Sequence, residues 1–203
     1  MTGADWVAIA ALCFSGAATP GPSLAVIARA VLLGGASRGI ATAVGHGIGV
    51  GIYATVAVAG YAAVLAAAPG VISVVELGGA ALLVWMGVGI IRSASDGALE
   101  APEGAERARA RGFAEGFVFA FMNPKIILFF VAILGAMVPP ESTAVERTMV
   151  GGVAMTVDAV WYIIAALALS RPGARSLLEG HRKRVQVALG GVLIAAGAVV
   201  ALL

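Results

Sequence analysis

The sequence predicts an all-α polytopic membrane protein, with six transmembrane helices arranged as two inverted three-helix repeats. The first observation is compositional: 61% of the 203 residues are hydrophobic and 12% are charged, whereas about a quarter are charged in soluble domains. Six spans of about 20 residues occupy roughly 120 positions and leave short loops, so one membrane domain over the whole chain is expected. The second observation is that two of these spans are interrupted by proline at corresponding places.

Charge and cysteine content narrow the class further. The net charge of +2 comes from basic residues spread among the loops, which is typical of a membrane topology signal and does not suggest nucleic-acid binding. The single cysteine, Cys13, cannot form an internal disulfide and lies within the first apolar segment. The N-terminus lacks the positive region of a cleavable signal peptide, so we expect the first segment to be a retained helix.

The first span, about residues 5–29, is interrupted by the run Thr19-Pro20-Gly21-Pro22-Ser23. Two prolines around a glycine cannot continue a regular helix, so the second half of the span should be a separate short helix. Pro22 and Ser23 lie near the start of that helix, whose free backbone N–H groups would point at whatever fills the break. Residues 29–38 are then expected to form a loop.

The second span, about residues 39–66, contains alternating glycines from Gly45 to Gly51. Gly45 with Gly49, and Gly47 with Gly51, form two small-xxx-small pairs, which let backbones approach closely, either within the chain or between protomers of a homo-oligomer. His46 lies among these glycines and is a candidate proton carrier, because imidazole titrates near neutral pH. It is only about two turns into the predicted span, so a hydrogen bond to neighbouring backbone is an equal alternative.

The third span, about residues 71–92, is followed by the only long polar connection, residues 93–111, which we expect to be solvated. Trp6, Tyr61 and Trp85 are expected to be interfacial anchors, since tryptophan and tyrosine are enriched at membrane surfaces. Glu115 lies near the entrance of the fourth span, and we expect its side chain to reach out to the interface.

The fourth span, about residues 113–137, carries Asn123-Pro124-Lys125 near its middle. Proline removes a backbone donor and kinks or breaks a helix, and a lysine at mid-bilayer costs about 2.5–3.5 kcal/mol on insertion scales. Irregular backbone at that depth is tolerated where it is buried in protein or lines a wet cavity. We therefore interpret this stretch as the border of a substrate pathway.

The fifth span, about residues 147–170, has Asp158 near its centre, and the sixth, about residues 185–203, carries no charge. Lys125 and Asp158 are the charges closest to the centres of their spans, and buried charges are usually paired. The pair is either static or alternating, with the carboxylate meeting a proton or a substrate ammonium in one state and Lys125 in the other. Alternatively Lys125 binds a substrate carboxylate, helped by the helix N-terminus after Pro22.

The basic residues predict the orientation. Of the 13 lysines and arginines, eleven lie in the links after spans one, three and five. They are Arg29, Arg38, Arg92, Arg107, Arg109, Arg111, Arg171, Arg175, Arg182, Lys183 and Arg184. The positive-inside rule places these links in the cytoplasm and both termini outside.

The chain divides into two halves, residues 5–92 and 112–203, joined by the link 93–111. Because each half has three spans, the halves enter the membrane in opposite directions. Each half opens with a broken span, at Pro20-Gly21-Pro22 and at Pro124. Interrupted helices at corresponding places in inverted repeats are the best sequence pointer to a transporter's binding site, so we predict a substrate and ion pathway along the two breaks, His46 and Asp158.

Three motifs occur together in this sequence. They are Thr19-Pro20-Gly21-Pro22, the glycines from Gly45 to Gly51, and Asn123-Pro124-Lys125. Together they resemble the LysE/RhtB family of amino-acid exporters, over essentially the whole chain. The family's usual Gly-Pro-Gly-Pro has threonine at its first position here, which keeps the break and adds a hydroxyl. The resemblance implies export of amino acids or related metabolites, driven by the proton-motive force across the bacterial inner membrane, with no cofactor.

Other functional classes are also compatible with the sequence. If the two breaks meet, Ser23 and Lys125 would approach as a Ser–Lys pair, a variant of hydrolase triads, although no third orienting group is evident. A channel or a metal-cation exporter would share the architecture, but a channel would lack proton coupling and a cation exporter should have more intramembrane carboxylates than Asp158. Two histidines and one cysteine offer no metal-ligand cluster, and the chain has no phosphate-binding Gly-x-x-x-x-Gly-Lys-[Ser/Thr] run.

Overall fold

The computed structural model describes residues 1–19, 21–67, 70–95, 104–123, 126, 130, 138–139 and 142–201. Within these ranges there are seven α-helices and no strand, so the all-α prediction is confirmed, while the six-span repeat arrangement stays a prediction. The helices are α1 (Gly3–Ala18), α2 (Pro22–Ala67), α3 (Gly70–Ser95), α4 (Ala105–Met122), α5 (Ala144–Leu169), α6 (Pro172–Gly180) and α7 (Arg182–Ala201).

The α2 helix folds back on itself at Gly35. Its 46 residues would be about 69 Å long if straight, more than twice the thickness of a bilayer core. However, Gly35 has a left-handed φ of 66°, and a Cβ atom at Gly39 would lie 2.5 Å from Cγ2 of Val31, although residues eight apart in a straight helix are separated by about 12 Å. The helix is therefore a hairpin, with a short arm (residues 22–34) and a long arm (residues 36–67).

The hairpin confirms one prediction about this region and corrects another. A separate short helix follows the first break, as the prolines predict. The predicted loop over residues 29–38 is wrong, because the reversal takes place at one glycine, which adopts positive φ without the steric cost that a Cβ atom imposes.

The glycines of the long arm bring two neighbouring helices into close contact. Gly45 and Gly49 face α4, where a Cβ atom at Gly49 would lie 2.6 Å from the Cβ atom of Ala120. Gly47 and Gly51 face α5, where a Cβ atom at Gly51 would lie 2.6 Å from the Cβ atom of Met155. The two small-xxx-small pairs thus contact two different helices of the same chain, and the long arm lies between α4 and α5.

The α5 helix buries its carboxylate and exposes large apolar side chains. Every fourth residue along it is buried: Val150, Ala154, Asp158, Tyr162 and Ala166. Its large exposed hydrophobic side chains include Met149, Val160, Ile164 and Leu167. A soluble helix would show the opposite arrangement, whereas a helix in lipid turns its ionisable group to the bundle interior.

Two stretches of the described helices are long and apolar enough to cross a membrane by length and composition, Pro22–Ala59 in α2 and Ala144–Leu169 in α5. Because α2 reverses at Gly35, we assign the crossing in the first stretch to the long arm. Shorter apolar helices are Gly3–Ala18 and Leu83–Arg92. The α3 helix, which contains the latter, packs along α7.

The basic links meet at one end of the bundle. A Cβ atom at Gly35, at the tip of the hairpin, would lie 3.9 Å from Nη1 of Arg175 in α6, and Arg38 just beyond the tip contacts Glu115 of α4. The last residues of the predicted solvated link are helical, because α4 already begins at Ala105, and they are mostly exposed, as predicted. Residues 96–103 lie outside the described ranges. The links after spans one, three and five therefore share one side, as the charge count requires.

Candidate functional site

Both predicted breaks are present in the fold. The first α-helix ends at Ala18, Thr19 takes an extended conformation, and α2 starts at Pro22. The α4 helix ends at Met122, and Asn123 is extended, with φ −89° and ψ 104°. Three predicted site residues, Pro20, Pro124 and Lys125, lie outside the described residues.

Four buried side chains connect the two breaks. The Nδ1 atom of His46 lies 2.6 Å from Oδ2 of Asp158, and its Nε2 atom lies 3.1 Å from Oγ of Ser23. The amide nitrogen of Asn123 donates to the same Ser23 hydroxyl oxygen, at 2.9 Å. Asn123, Ser23, His46 and Asp158, which we call the central network, therefore form one continuous chain of hydrogen bonds, and none of them is more than 7% exposed.

The fold brings these residues together from separate elements. The α2 hairpin places Ser23, at the start of the short arm, opposite His46 on the long arm, because Gly35 lies about midway between them. The buried stripe of α5 presents Asp158 to the same point. His46 is about ten residues from the hairpin tip, or about 15 Å along the helix, which is half the thickness of a bilayer core of about 30 Å.

This geometry corrects the expectation for His46. The sequence placed it only two turns into its span, with backbone hydrogen bonding as an alternative. Because the long arm begins at residue 36, His46 lies deeper than predicted, level with Asp158 at the centre of α5. Both of its ring nitrogens contact side chains.

A cavity of about 40 Å³ adjoins the central network. Ser23, His46 and Asp158 line it together with Cys13 and Tyr162. Small residues of α1 and apolar side chains complete the wall: Gly16, Ala17, Val50, Ile126, Phe130 and Ala154. A cavity of this size has room for water, which needs about 10–15 Å³ per molecule, and is too small for an amino acid.

Two aromatic rings hold the imidazole in place. The ring of Tyr162 meets it edge-on, with 5.1 Å between centroids, and the ring of Phe119 lies 6.2 Å away. The Tyr162 hydroxyl donates to the carbonyl oxygen of Ala17, at 3.2 Å. This bond ties α5 to the end of α1, directly before the first break.

The central network has one consistent set of donors and acceptors with a neutral imidazole. Its hydrogen bonds are all satisfied when the Asn123 amide donates to Ser23, the Ser23 hydroxyl donates to Nε2 of His46, and Nδ1–H donates to the Asp158 carboxylate. A further proton on Nε2 makes an imidazolium that faces the carboxylate, so the buried pair becomes net neutral.

A second cluster of charges lies nearer the end of the bundle with the basic links. Glu115 contacts Arg38 at 3.1 Å, Arg111 at 3.4 Å and Arg29 at 3.5 Å. We call Glu115 with these three arginines the arginine cluster. Arginines from both arms of α2 and from α4 converge on the Glu115 carboxylate, so the side chain that was expected to reach the interface is also paired.

The comparison with known families agrees with this architecture. A family model described as the LysE type translocator matches residues 14–203. The chain belongs to this family. Membership confirms the resemblance seen in the sequence and makes this LysE type translocator a membrane transport protein.

A relative of this LysE type translocator is the uncharacterized membrane protein YahN of Escherichia coli (strain K12). The two are 25% identical over 178 residues, which cover 86% of this chain and 78% of YahN. No solved structure matches the chain.

Sequence reasoning named Ser23, His46, Asn123 and Asp158 as candidates in this LysE type translocator but did not predict how they pair. It expected Asp158 to meet Lys125, whereas the described partner of Asp158 is His46, 112 residues away in the chain. Tyr162 was missed, although its position four residues after Asp158 on the same helix face was a signal. The Thr19 hydroxyl, which departs from the family pattern, donates to the carbonyl oxygen of Ser15 at 2.7 Å and does not line the cavity.

Proposed function

We propose that the protein exports amino acids or related small metabolites across the bacterial inner membrane by proton antiport. The observation that carries the proposal is the central network, in which a buried histidine and a buried carboxylate line a cavity bounded by residues of both helix breaks. Secondary transporters bind substrate and coupling ion near the membrane midplane, at broken helices where two repeats meet. A buried His–Asp pair between the two breaks, about 15 Å along α2 from the hairpin tip, supports such a site.

Reciprocal contacts support the two-repeat architecture on which the proposal depends. Across a two-fold axis, if one residue contacts a second, the second contacts the first in the same way. A Cβ atom at Gly87 would lie 2.6 Å from the carbonyl oxygen of Gly190, and a Cβ atom at Gly190 would lie 2.6 Å from the carbonyl oxygen of Gly87. Gly51 of α2 and Gly151 of α5 are related in the same manner, and we therefore propose that the halves form inverted repeats.

In the proposed cycle, a proton and a substrate ammonium compete for Asp158. When the substrate ammonium occupies the carboxylate, His46 stays neutral; when a proton enters from outside, the imidazolium forms and displaces the ammonium. Asn123 and Lys125 are the proposed partners of the substrate carboxylate. Because the cavity of about 40 Å³ admits water only, substrate binding requires the helices around it to separate, as in alternating access.

The driving force is sufficient for export. One elementary charge that moves through 100 mV releases about 2.3 kcal/mol. At about 1.36 kcal/mol per tenfold, this supports roughly a fiftyfold outward gradient of a net-neutral amino acid for each proton.

The test is efflux of labelled amino acids from proteoliposomes, with and without an inward proton gradient. Wild type, Asp158→Asn and Lys125→Ala are compared with Thr156→Val, which alters an exposed polar side chain on the same helix as Asp158. We expect the gradient to accelerate efflux in wild type and Thr156→Val but not in Asp158→Asn. An unchanged response in Asp158→Asn would remove it from the mechanism, whereas wild-type efflux that ignores the gradient would contradict antiport and favour a channel.

One observation favours a second candidate, an intramembrane hydrolase. Ser23, His46 and Asp158 stand in the order of a Ser–His–Asp triad, with hydrogen-bond distances of 3.1 and 2.6 Å. This differs from the Ser–Lys pair of the sequence analysis, since Lys125 lies outside the described residues. The Asn123 amide already donates to Ser23, and the cavity has no room for an acyl substrate, so transport is the better supported function.

A fluorophosphonate probe separates the two functions, because it modifies an activated serine covalently. We expect no labelling of wild type above that of Ser23→Ala. Labelling of Ser23, with ester hydrolysis that Ser23→Ala abolishes, would establish the hydrolase and overturn the preference for transport alone.

A further inference from the structure

A second and much larger cavity lies between the short arm of α2, α3 and α4, with a volume of about 580 Å³. This is within the range of about 300–1,000 Å³ typical of ligand pockets. None of its lining residues belongs to the central cavity. The proposed transport cycle therefore makes no use of it.

One end of this cavity is rich in arginine. Arg29, Arg92 and Arg111 line it together with Glu115, the only carboxylate among its described lining residues. Guanidinium groups bind phosphate through paired hydrogen bonds. Because each guanidinium has five N–H donors, an arginine that contacts Glu115 can contact a phosphate as well.

The other end of the cavity is apolar and open to the surroundings. Its wall is formed by Met86, Ile90, Val118 and Phe119, of which Val118 is about half exposed. Trp85 also lines the cavity and is 72% exposed. It lies seven residues before Arg92 on α3, or about 10 Å along the helix, at a distance suited to the boundary between headgroups and acyl chains.

The ligand that matches these features has an anionic head and an apolar tail. A small soluble anion would leave the exposed apolar wall unused, and a zwitterionic lipid would not match the excess of guanidinium groups. The basic links place this end of the bundle on the predicted cytoplasmic side, where basic pockets between membrane helices bind anionic headgroups.

We propose that this cavity, the arginine cavity, binds one anionic phospholipid from the cytoplasmic leaflet. The headgroup phosphate contacts Arg92 and Arg111, and an acyl chain lies along the apolar wall beside Trp85. Arg29 completes the headgroup site from the short arm of α2.

The test is native mass spectrometry of the purified protein with phosphatidylglycerol or phosphatidylcholine of identical acyl chains. The variant is Arg92→Gln with Arg111→Gln. Its matched control is Arg171→Gln with Arg184→Gln, which removes the same charge from exposed positions outside the cavity. We expect the cavity variant to lose affinity for phosphatidylglycerol about tenfold or more, the equivalent of one charged hydrogen bond, while the control retains wild-type binding.

A second measurement leaves the arginine cavity unchanged and does not depend on the arginine variants folding. Vesicles that contain brominated phosphatidylglycerol should quench the fluorescence of Trp85, in a Trp6→Phe, Trp161→Phe background, more strongly than vesicles with brominated phosphatidylcholine. Equal quenching by the two lipids, or equal loss of phosphatidylglycerol in the cavity variant and its control, would overturn the proposal. Displacement of bound lipid by inorganic phosphate alone would overturn it as well, in favour of a soluble anion.

Discussion

The central network and the arginine cluster are two polar sites of opposite character, one buried and one partly exposed. The network joins one histidine to one carboxylate and lies at mid-membrane depth, beside a cavity just large enough for water. The cluster gathers three arginines around one carboxylate, nearer the basic end of the bundle. Arginine remains protonated at any physiological pH, whereas imidazole does not.

Under the proposed antiport, this difference separates a site suited to proton exchange from a site suited to helix contacts or anion binding. A site that exchanges protons needs a group whose charge changes near neutral pH and a route for water. A site of permanent cations can hold helices together or bind an anion, but it cannot take part in a proton cycle. The short arm of α2 carries one member of each site, Ser23 and Arg29, so the two are physically connected while chemically distinct.

The largest expected effect separates the two sites by pH dependence. His46→Gln retains a polar side chain but cannot be protonated, so we expect gradient-driven efflux to fall by about tenfold or more, the scale of a lost general acid–base group. Glu115→Gln should change the rate without removing its dependence on the proton gradient. The measurement is the initial efflux rate as a function of external pH in proteoliposomes; a normal pH profile in His46→Gln would refute the assignment.

The next effect tests the close packing that brings the central network together. A Cβ atom at Gly151 would lie 2.7 Å from the carbonyl oxygen of Gly51, whereas one at Gly152 would meet nothing within 4 Å. We expect Gly151→Ala to destabilise the fold by about 1–3 kcal/mol through overpacking. Its neighbour Gly152→Ala should be neutral, or more stable by up to about 1 kcal/mol from helix propensity.

Thermal unfolding of the two glycine variants in detergent measures this difference directly. Equal melting temperatures would show that α2 and α5 can separate without cost. In that case the short distance between His46 and Asp158 would not depend on this contact.

The smallest expected effect concerns the arginine cluster. Removing the charge of Glu115 leaves three guanidinium groups facing one another, and breaking a buried ion pair costs several kcal/mol. Because the Glu115 side chain is 21% exposed, we expect Glu115→Gln to cost only about 1–2 kcal/mol of stability. A rise in salt concentration should reduce that loss, and a variant as stable as wild type at low salt would show that the cluster does not hold the helices.

The sequence predicted the elements of this protein better than their ends. Apolar length predicted long helices, and proline predicted the breaks after Thr19 and before Pro124, since both effects are local properties of a few residues. The extent of helix was underestimated at residues 29–38 and 105–111. Polar residues there indicated loops. Around residues 29–38 packing of Ala30, Val31 and Arg38 stabilises the helical arms, whereas residues 105–111 extend α4 as a mostly exposed first part.

For the candidate site as well, local features could be predicted from the sequence and long-range contacts could not. By itself, the sequence determined that this chain enters a membrane, where its helices break, and that His46 and Asp158 are costly residues kept inside. Only the tertiary structure decided that these two residues meet each other, and that Ser23 and Asn123 join them across the breaks. The reason is geometric: Asp158 and His46 are 112 positions apart, and their contact depends on the reversal at Gly35 and on glycine-lined helix faces whose partners no local pattern specifies.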